Sequence, residues 1–229
     1  MKIRLTSIAL LFMLSVSLSV AQGTDNAKTS FSILGGANFQ NFNGKDNSGN
    51  QLDNDLIIGY HAGFNIQMPV APDFYFQPGL LFSLKGSEGS YGLLTGTYKL
   101  SYVEIPLNLV YKGLLGNGYV TLGFGPYIGY GIMGNSTLVV GPVSVETDVE
   151  FSRKVESPDD HYAATHFRPL DAGGNLFFGY EMAGGLFLQL NAQLGMLKIN
   201  PEDTRPIAVY GDQLSVKNTG FGLSMGYRF

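Results

Sequence analysis

Large apolar residues alternate with small or polar residues in several segments of the chain, and this alternation is its clearest pattern. Between Ile58 and Met68 every second residue is apolar or aromatic. The residues between them are Gly59, His61, Gly63, Asn65 and Gln67. Because successive side chains of a β-strand point to opposite faces, the pattern predicts strands with one apolar face and one small or polar face.

Eight segments fit this pattern, four of them less regularly. They are residues 31–42, 56–68, 74–85, 98–111, 119–132, 171–182, 186–197 and 218–229. Such lengths suit tilted strands that cross a bilayer, of which about 9 to 11 residues lie in the hydrocarbon. No apolar run after Gln22 is long enough for a membrane-spanning helix. The sequence therefore predicts an all-β fold, an eight-stranded antiparallel up-and-down transmembrane β-barrel.

The connections between the predicted strands alternate between short and long. Short turns are predicted at Pro69–Asp73, Lys112–Gly118 and Ala183–Gly185, and long loops at 43–55, 86–97, 133–170 and 198–217. Outer-membrane barrels have short periplasmic turns and longer extracellular loops. We therefore expect the short turns to face the periplasm.

The distribution of charge indicates which face of the strands meets lipid. The apolar row contains no charged residue, and a Lys or Arg facing the bilayer midplane would cost roughly 2 to 4 kcal/mol. The opposite row contains 14 glycines by our assignment, which leave room in a narrow lumen. A soluble ligand-carrying barrel is the alternative, but it would expose an unusually large apolar patch.

Aromatic residues near the strand ends are typical of the girdles that lie at the two membrane interfaces. Towards the periplasm they are Phe31, Phe74, Phe76, Tyr111, Tyr227 and Phe229, and towards the outside they are Phe39, Tyr60, Phe82 and Tyr130.

Residues 1–21 are predicted to be a cleaved signal peptide. Lys2 and Arg4 precede an apolar stretch from Ile8 to Val20, and small residues lie before Gln22. An uncleaved anchor is the alternative, but the stretch is shorter than the roughly 20 apolar residues that span a bilayer. Loss of the two cations would change the net charge from −4 to −6 in the mature barrel domain, residues 22–229. This charge argues against nucleic-acid binding, and without cysteine neither a lipid anchor nor a disulfide is expected.

Two stretches of the chain resemble the PorT-like outer-membrane β-barrel family. They are Leu100-Ser-Tyr-Val-Glu-Ile-Pro-Leu-Asn-Leu-Val-Tyr111 and Gly123-Phe-Gly-Pro-Tyr-Ile-Gly-Tyr-Gly131. The segment from Asp171 to Glu181 is similar to a recurring Asp and Gly strand of that family. The resemblance covers almost the whole mature chain and implies an outer-membrane location. The founding member takes part in a protein-secretion apparatus, so the resemblance makes a secretion complex a candidate partner.

The end of the chain resembles the C-terminal signal that the barrel-assembly machinery reads. The last residue is aromatic and alternate residues before it are apolar, which gives the set Phe221, Leu223, Met225, Tyr227 and Phe229. We therefore expect this machinery as a partner during insertion. Afterwards we expect a monomer surrounded by outer-membrane lipid and lipopolysaccharide.

Five charged residues fall on the predicted lumen row: Lys85, Glu104, Asp171, Glu181 and Arg228. Buried charges need partners. Glu181 and Arg228 lie near the same end of strands separated by one neighbour, which predicts an ion pair across the lumen. Glu104 has no partner that its position in the sequence identifies. We interpret these residues as a polar plug that supports the barrel, with a proton or ion path as the alternative.

Candidate residues for enzymatic or metal chemistry are few. His61 lies alone on the lumen row, without a Ser or Asp partner that the sequence can fix, so we expect no enzyme and no cofactor. Segment 159–166 holds two Asp and two His at a spacing that matches no standard zinc site. Residues 46–55 are rich in Asp, Asn and Gly but lack the full calcium-loop pattern, so a solvated acidic loop is expected.

The longest predicted loop, 133–170, contains two β-like runs around Gly141 and Pro142. We expect a hairpin over residues 137–151 that extends above the membrane, where an exposed strand edge can add a partner strand. A hairpin folded over the barrel mouth is the alternative.

The sequence thus predicts a non-enzymatic surface-interaction, envelope-structural or secretion-associated scaffold, in which loop 133–170 contacts secretion-complex or extracellular proteins. A narrow pore for small solutes or ions is the alternative hypothesis. It ranks second because side chains nearly fill the lumen of an eight-stranded barrel.

Overall fold

A computed structural model describes residues 28–155, 165–203 and 213–229. The strands in this part of the chain are β1 (Ser30–Lys45), β2 (Ile57–Ala71), β3 (Phe74–Tyr91), β4 (Leu94–Leu115), β5 (Gly118–Val140), β6 (Val143–Phe151), β7 (Lys154–Val155), β8 (Thr165–Phe167), β9 (Leu170–Met182), β10 (Leu186–Gly195), β11 (Glu202–Asp203) and β12 (Ser215–Arg228). None of the described residues forms a helix long and apolar enough to cross a membrane. The predicted signal peptide lies outside the described residues.

Eight of these strands close into one antiparallel barrel. Around the ring the order is β1, β2, β3, β4, β5, β9, β10 and β12, and β12 pairs with β1 again. Across the closing pair, Ile33 lies opposite Tyr227 and Phe39 lies opposite Phe221. The predicted eight-stranded antiparallel barrel is therefore confirmed.

The two ends of the barrel differ in their connections. At one end, here named the turn end, β2 and β3, β4 and β5, and β9 and β10 are joined through residues 72–73, 116–117 and 183–185. The three short turns lie where the alternation predicted them, although β2 and β4 continue further than expected. The opposite end, here named the loop end, carries the other connections, of which those from β1 to β2, from β5 to β9 and from β10 to β12 are longer.

The predicted loop at 86–97 is wrong. β3 continues to Tyr91 and β4 begins at Leu94, so a turn at Gly92 and Leu93 joins them. Gly92 has a φ of 63°, a left-handed conformation that favours glycine. The polar residues and glycines here suggested a loop, but an antiparallel ladder satisfies the backbone groups whatever the side chains are.

The extension of β3 and β4 continues through β5 and β6. β5 reaches Val140, and a turn at Gly141 and Pro142 leads into β6, so the predicted hairpin is present. The loop-end sheet, as we name it, consists of residues 86–91, 94–99, 135–140 and 143–148. β5 runs ten residues past Tyr130, the last residue that pairs with β9, which is roughly 30 Å of strand.

Side chains of the barrel strands alternate between a buried inner row and an exposed outer row. On β12, Ser224 is buried whereas its neighbours Leu223 and Met225 are 49% and 57% exposed. Aromatic pairs lie on the outer surface near the turn end, where Phe74 packs against Tyr111 with 5.3 Å between ring centroids. The apolar row therefore lies outside and the row rich in glycine lies inside, as the sequence predicts.

A compact apolar cluster closes the barrel at the loop end. This mouth cluster consists of the buried residues Phe42, Leu100, Tyr102, Val149, Phe167 and Ile199. Val149 belongs to β6, so the base of the predicted hairpin covers the barrel mouth. Val143 and Val145 near its tip are 56% and 52% exposed. The hairpin thus combines the two expected arrangements, because its base is folded over the barrel mouth and its tip is exposed.

Candidate functional site in the barrel lumen

Lys85 on β3 is fully buried beside the mouth cluster. Its Nζ lies 2.5 Å from Glu104 Oε1 on β4 and 3.0 Å from Asp171 Oδ2 on β9. The Tyr127 ring lies 4.4 Å from the same ammonium group, and the Tyr127 hydroxyl donates to Asp171 Oδ2. We name Lys85, Glu104 and Asp171 the loop-end ion cluster. The structure thus supplies Lys85 as the partner of Glu104, which sequence position alone could not identify.

Arg228 on β12 and Glu181 on β9 meet at the turn end of the lumen. Arg228 Nε donates to Glu181 Oε2 at 2.9 Å, so the structure contains the ion pair expected between these residues. Lys112 Nζ donates to the other carboxylate oxygen at 2.6 Å. We name Lys112, Glu181 and Arg228 the turn-end ion cluster. Two cations therefore share one carboxylate there.

Sequence reasoning missed Lys112 because the predicted strand ended at Tyr111. The signal was nevertheless available. Glu104 lies on the inner row of β4, and the period of two continues from it through even-numbered residues to Lys112. An extension of the predicted strand by one residue would have placed Lys112 in the lumen.

Between the two ion clusters the lumen contains a chamber of about 90 Å³. Its lining includes Asn38, Gln40, His61, Glu104, Asn108 and Gln193. Glu104 belongs to the loop-end ion cluster, and Asn65 and Gln77, which also line the chamber, accept hydrogen bonds from Arg228. The chamber is therefore bounded by both clusters. Among the described residues that line it, Glu104 is the charged one.

His61 lies in a hydrogen-bond chain that crosses the chamber wall. Its Nε2 lies 2.6 Å from Ser224 Oγ, and its Nδ1 is hydrogen-bonded to Asn38 Oδ1. Asn38 Nδ2 donates to Ser83 Oγ, which fixes Asn38 Oδ1 as the acceptor. His61 therefore carries a proton on Nδ1. Because Asn191 Nδ2 donates to Ser224 Oγ, the hydroxyl hydrogen of Ser224 is left to donate to His61 Nε2. His61 was expected to be a hydrogen-bonding residue, and its serine partner lies 163 positions away in the sequence.

The order Ser, His, Asn also occurs in variants of the nucleophilic catalytic triad. Ser224, however, is fully buried. The chamber of about 90 Å³ has room for several water molecules but not for a lipid acyl chain. The geometry therefore favours a structural role for this chain of hydrogen bonds.

Glycines make room for aromatic rings inside the lumen. A Cβ atom on Gly123 would lie 2.2 Å from the ring of Phe177, and one on Gly226 would lie 2.2 Å from the ring of Phe187. Phe177 and Phe187 are each 5% exposed. The lumen is thus filled by side chains that depend on glycine in the neighbouring strand.

The sequence left two candidate metal sites open. The first, around His161, lies outside the described residues. Among residues 28–155, 165–203 and 213–229, no group of three or more His, Cys, Asp or Glu side chains could hold a metal ion. In the acidic loop, Asp46 Oδ1 accepts hydrogen bonds from the backbone nitrogens of Ser48 and Asn50 at 2.8 and 2.9 Å. The loop therefore uses this carboxylate to hold its own turn.

The amino-acid sequence matches the outer membrane protein β-barrel domain family over residues 20–199. The chain belongs to this family. Together with the closed ring of eight strands, the match places the protein in the outer membrane. No curated protein sequence matches the chain.

Solved structures of bacterial outer-membrane proteins resemble this barrel. One is Ail, the attachment invasion locus protein of Yersinia pestis, with 12% sequence identity, a TM-score of 0.40, and coverage of 89% of this chain and 100% of Ail. Another is an outer membrane channel from Pseudomonas putida F1, with 10% identity, a TM-score of 0.31, and coverage of 91% of this chain and 98% of the channel. The family assignment depends on the sequence match and not on these two structures.

Proposed function

We propose that the protein is a non-enzymatic surface protein whose loop-end sheet binds a partner protein outside the cell. The proposal takes the turn end as periplasmic, because outer-membrane barrels have their short turns on that side. In this orientation the barrel is a membrane anchor, and the loop-end sheet stands above the outer surface. The two ion clusters and the mouth cluster then stabilise the anchor.

An exposed apolar row on one face of the loop-end sheet carries this proposal. Its members are Leu94, Leu138, Val140, Val143 and Val145, with exposed fractions of 39%, 39%, 46%, 56% and 52%. Strand pairing makes the row continuous, since Val140 lies opposite both Leu94 and Val143 and Leu138 lies opposite Val145. Contiguous apolar surface exposed to water is typical of interaction sites.

The edge of β6 offers a second means of binding. Residues 143–148 pair with β5 on one side. Within the described parts of the chain, no strand pairs with the other side of this segment. An open strand edge can accept a strand from a partner through backbone hydrogen bonds. A protein segment with apolar side chains at alternate positions would match both the edge and the apolar row.

The PorT-like resemblance supports a secretion complex as the source of the partner. The motifs that carry it, Leu100–Tyr111 and Gly123–Gly131, lie in β4 and β5. Beyond these motifs the same two strands continue into the centre of the loop-end sheet. An extracellular adhesion protein is the other possible partner. Identification of the bound protein distinguishes it from a component of the secretion apparatus.

Site-specific photocrosslinking on intact cells tests this function. A photoreactive amino acid at Val145 is expected to form an adduct with one partner protein, which mass spectrometry then identifies. Ser144 is the matched control, because it is exposed on the same strand but points to the opposite face. Equal labelling from the two positions, or no adduct from Val143 and Val145, would contradict the proposal.

A narrow pore is the second candidate, and the chamber in the lumen supports it. The fully buried Lys85 and the mouth cluster close the passage at the loop end. Planar-bilayer recording separates the two functions. Stable single-channel steps from the purified protein favour the pore, and silence favours the surface anchor.

A further inference from the structure

Two side-chain oxygens that line the chamber lack partners in the protein. Gln40 Oε1 and Asn108 Oδ1 are buried and accept no hydrogen bond from any described residue. The two residues are 4% and 6% exposed, and both line the chamber. Because a buried amide oxygen without a partner is unfavourable, the chamber must contain a species that donates to these atoms or is coordinated by them.

The loop-end ion cluster beside the chamber contains more acidic than basic groups. Glu104 and Asp171 face one ammonium group, that of Lys85, and all three residues are at most 3% exposed. With all three ionised, one negative charge is left over. Glu104 Oε2 accepts one hydrogen bond, from Gln193 Nε2 at 3.1 Å. A buried charge without compensation is strongly unfavourable, so a positive charge is needed near Glu104.

The other described basic groups of the lumen do not supply this charge. Lys112 and Arg228 both bind Glu181, and Lys112 lies eight residues from Glu104 along β4, roughly 25 Å of strand. His61 lines the chamber, but it donates to Asn38 through Nδ1 and accepts from Ser224 through Nε2. That arrangement belongs to a neutral imidazole.

The size and chemistry of the chamber limit what can bind there. A volume of about 90 Å³ holds several water-sized groups, so a small ion with a few water molecules fits. Amide and carboxylate oxygens are ligands for hard cations. One uncompensated negative charge matches one positive charge. We propose that the chamber binds a single monovalent cation, Na⁺ or K⁺, at Glu104 and Gln40, together with water that donates to Asn108 Oδ1.

Sodium-23 NMR on the purified full-length barrel in detergent tests this site. At about pH 8, where an unperturbed imidazole is neutral, the protein is expected to broaden the sodium signal. Added K⁺ is expected to reverse the broadening in a saturable manner. The large cation N-methylglucamine, at the same ionic strength, should not reverse it. The same two small cations are expected to raise the midpoint of thermal unfolding, because a ligand that binds the folded state stabilises it.

Two variants place the site, and a third is the control. Glu104→Gln removes the surplus charge and leaves Lys85 paired with Asp171, so it is expected to weaken Na⁺ binding by about tenfold or more. Gln40→Met removes one oxygen without touching either ion cluster and should also weaken binding. Glu146→Gln changes an exposed carboxylate on β6 and should leave binding unchanged.

Three results would overturn the cation site. The first is equal unfolding midpoints in Na⁺, K⁺ and N-methylglucamine. The second is a broadening that Glu104→Gln leaves intact. The third is an unfolding midpoint that changes with pH identically in Na⁺, K⁺ and N-methylglucamine, together with the loss of this pH dependence in Glu104→Gln. In that case a proton on the carboxyl pair neutralises the charge. The site is independent of the proposed surface binding, because the crosslinking at Val145 does not involve the lumen.

Discussion

Arg228 on β12 and Glu181 on β9 form an ion pair across the turn end of the lumen, with 2.9 Å between Arg228 Nε and Glu181 Oε2. β10 lies between the two strands. Lys112 Nζ binds the second carboxylate oxygen of Glu181 at 2.6 Å. The two basic residues therefore depend on Glu181, whereas Glu181 keeps a partner if either of them is lost.

This asymmetry predicts different costs for two substitutions. Glu181→Gln leaves the half-buried Lys112 and Arg228 without a counter-charge, and we expect it to lower the free energy of unfolding by about 1 to 3 kcal/mol. Arg228→Met leaves Glu181 paired with Lys112 and should cost clearly less. Urea unfolding in lipid vesicles measures both values. Equal costs for the two variants would mean that Lys112 does not neutralise Glu181.

Lys85 has the opposite relationship to its partners, since one basic group serves two carboxylates. Lys85→Met leaves Glu104 and Asp171 buried together, and we expect a loss of about 3 to 5 kcal/mol in the free energy of unfolding. The double variant Lys85→Met/Glu104→Gln removes one of the two charges and should recover part of that loss. Unfolding in vesicles checks both variants, and a double variant no more stable than Lys85→Met would contradict the expected repulsion.

The alternation of side chains was sufficient to predict the barrel. In β2 each residue from Ile58 to Gln67 lies on the face that the period of two assigns to it. Lipid excludes charge from one face of a strand and the narrow lumen favours small or polar residues on the other. The alternation within each strand therefore shows which face meets lipid. Local sequence alone therefore identified the strands and their faces.

The features that sequence could not predict depend on distant residues or on backbone pairing. Ser224 and His61 are 163 positions apart, and no local pattern connects them. Lys85 and Glu104 lie on neighbouring strands, but Lys85 pairs with Leu100, four residues from Glu104, so their contact depends on strand register and on two long side chains. The extension of β3 past residue 86 and its pairing with β4 depend on backbone hydrogen bonds. Such bonds can form whether the side chains are polar or apolar, so the side-chain pattern did not predict them.

Gly123 is predicted to be essential for packing inside the lumen. A Cβ atom there would lie 2.2 Å from the Phe177 ring, so Gly123→Val forces the ring or the strand to move. We expect a cost of about 1 to 3 kcal/mol, the usual range for overpacking. The double variant Gly123→Val/Phe177→Ala removes the clash and tests the cause. Its cost should be smaller than the sum of the two single costs, as a double-mutant cycle in urea would reveal.

Two valines of β6 should differ in their contribution to stability. Val149 is 8% exposed in the mouth cluster, whereas Val145 is 52% exposed on the apolar row of the loop-end sheet. Val149→Ala is expected to lower the free energy of unfolding by about 1.5 kcal/mol, because two buried methyl groups are lost. Val145→Ala should stay within about 0.5 kcal/mol of the original protein. If Val145→Ala were as costly as Val149→Ala, the apolar row would be packed against the protein and could not serve as a free binding surface.

The orientation of the strands predicts a cost for charge that depends on depth in the bilayer. Leu223 lies on the outer row of β12 between Phe221 and Tyr227 and is 49% exposed. Leu223→Lys should lower the free energy of unfolding in lipid vesicles by about 2 to 4 kcal/mol, whereas Tyr227→Lys near the interface should cost at most about 1 kcal/mol from its charge. Leu223→Met, which changes the same side chain without adding a charge, is the control. A Leu223→Lys variant as stable as the original protein in vesicles would mean that this row does not face lipid.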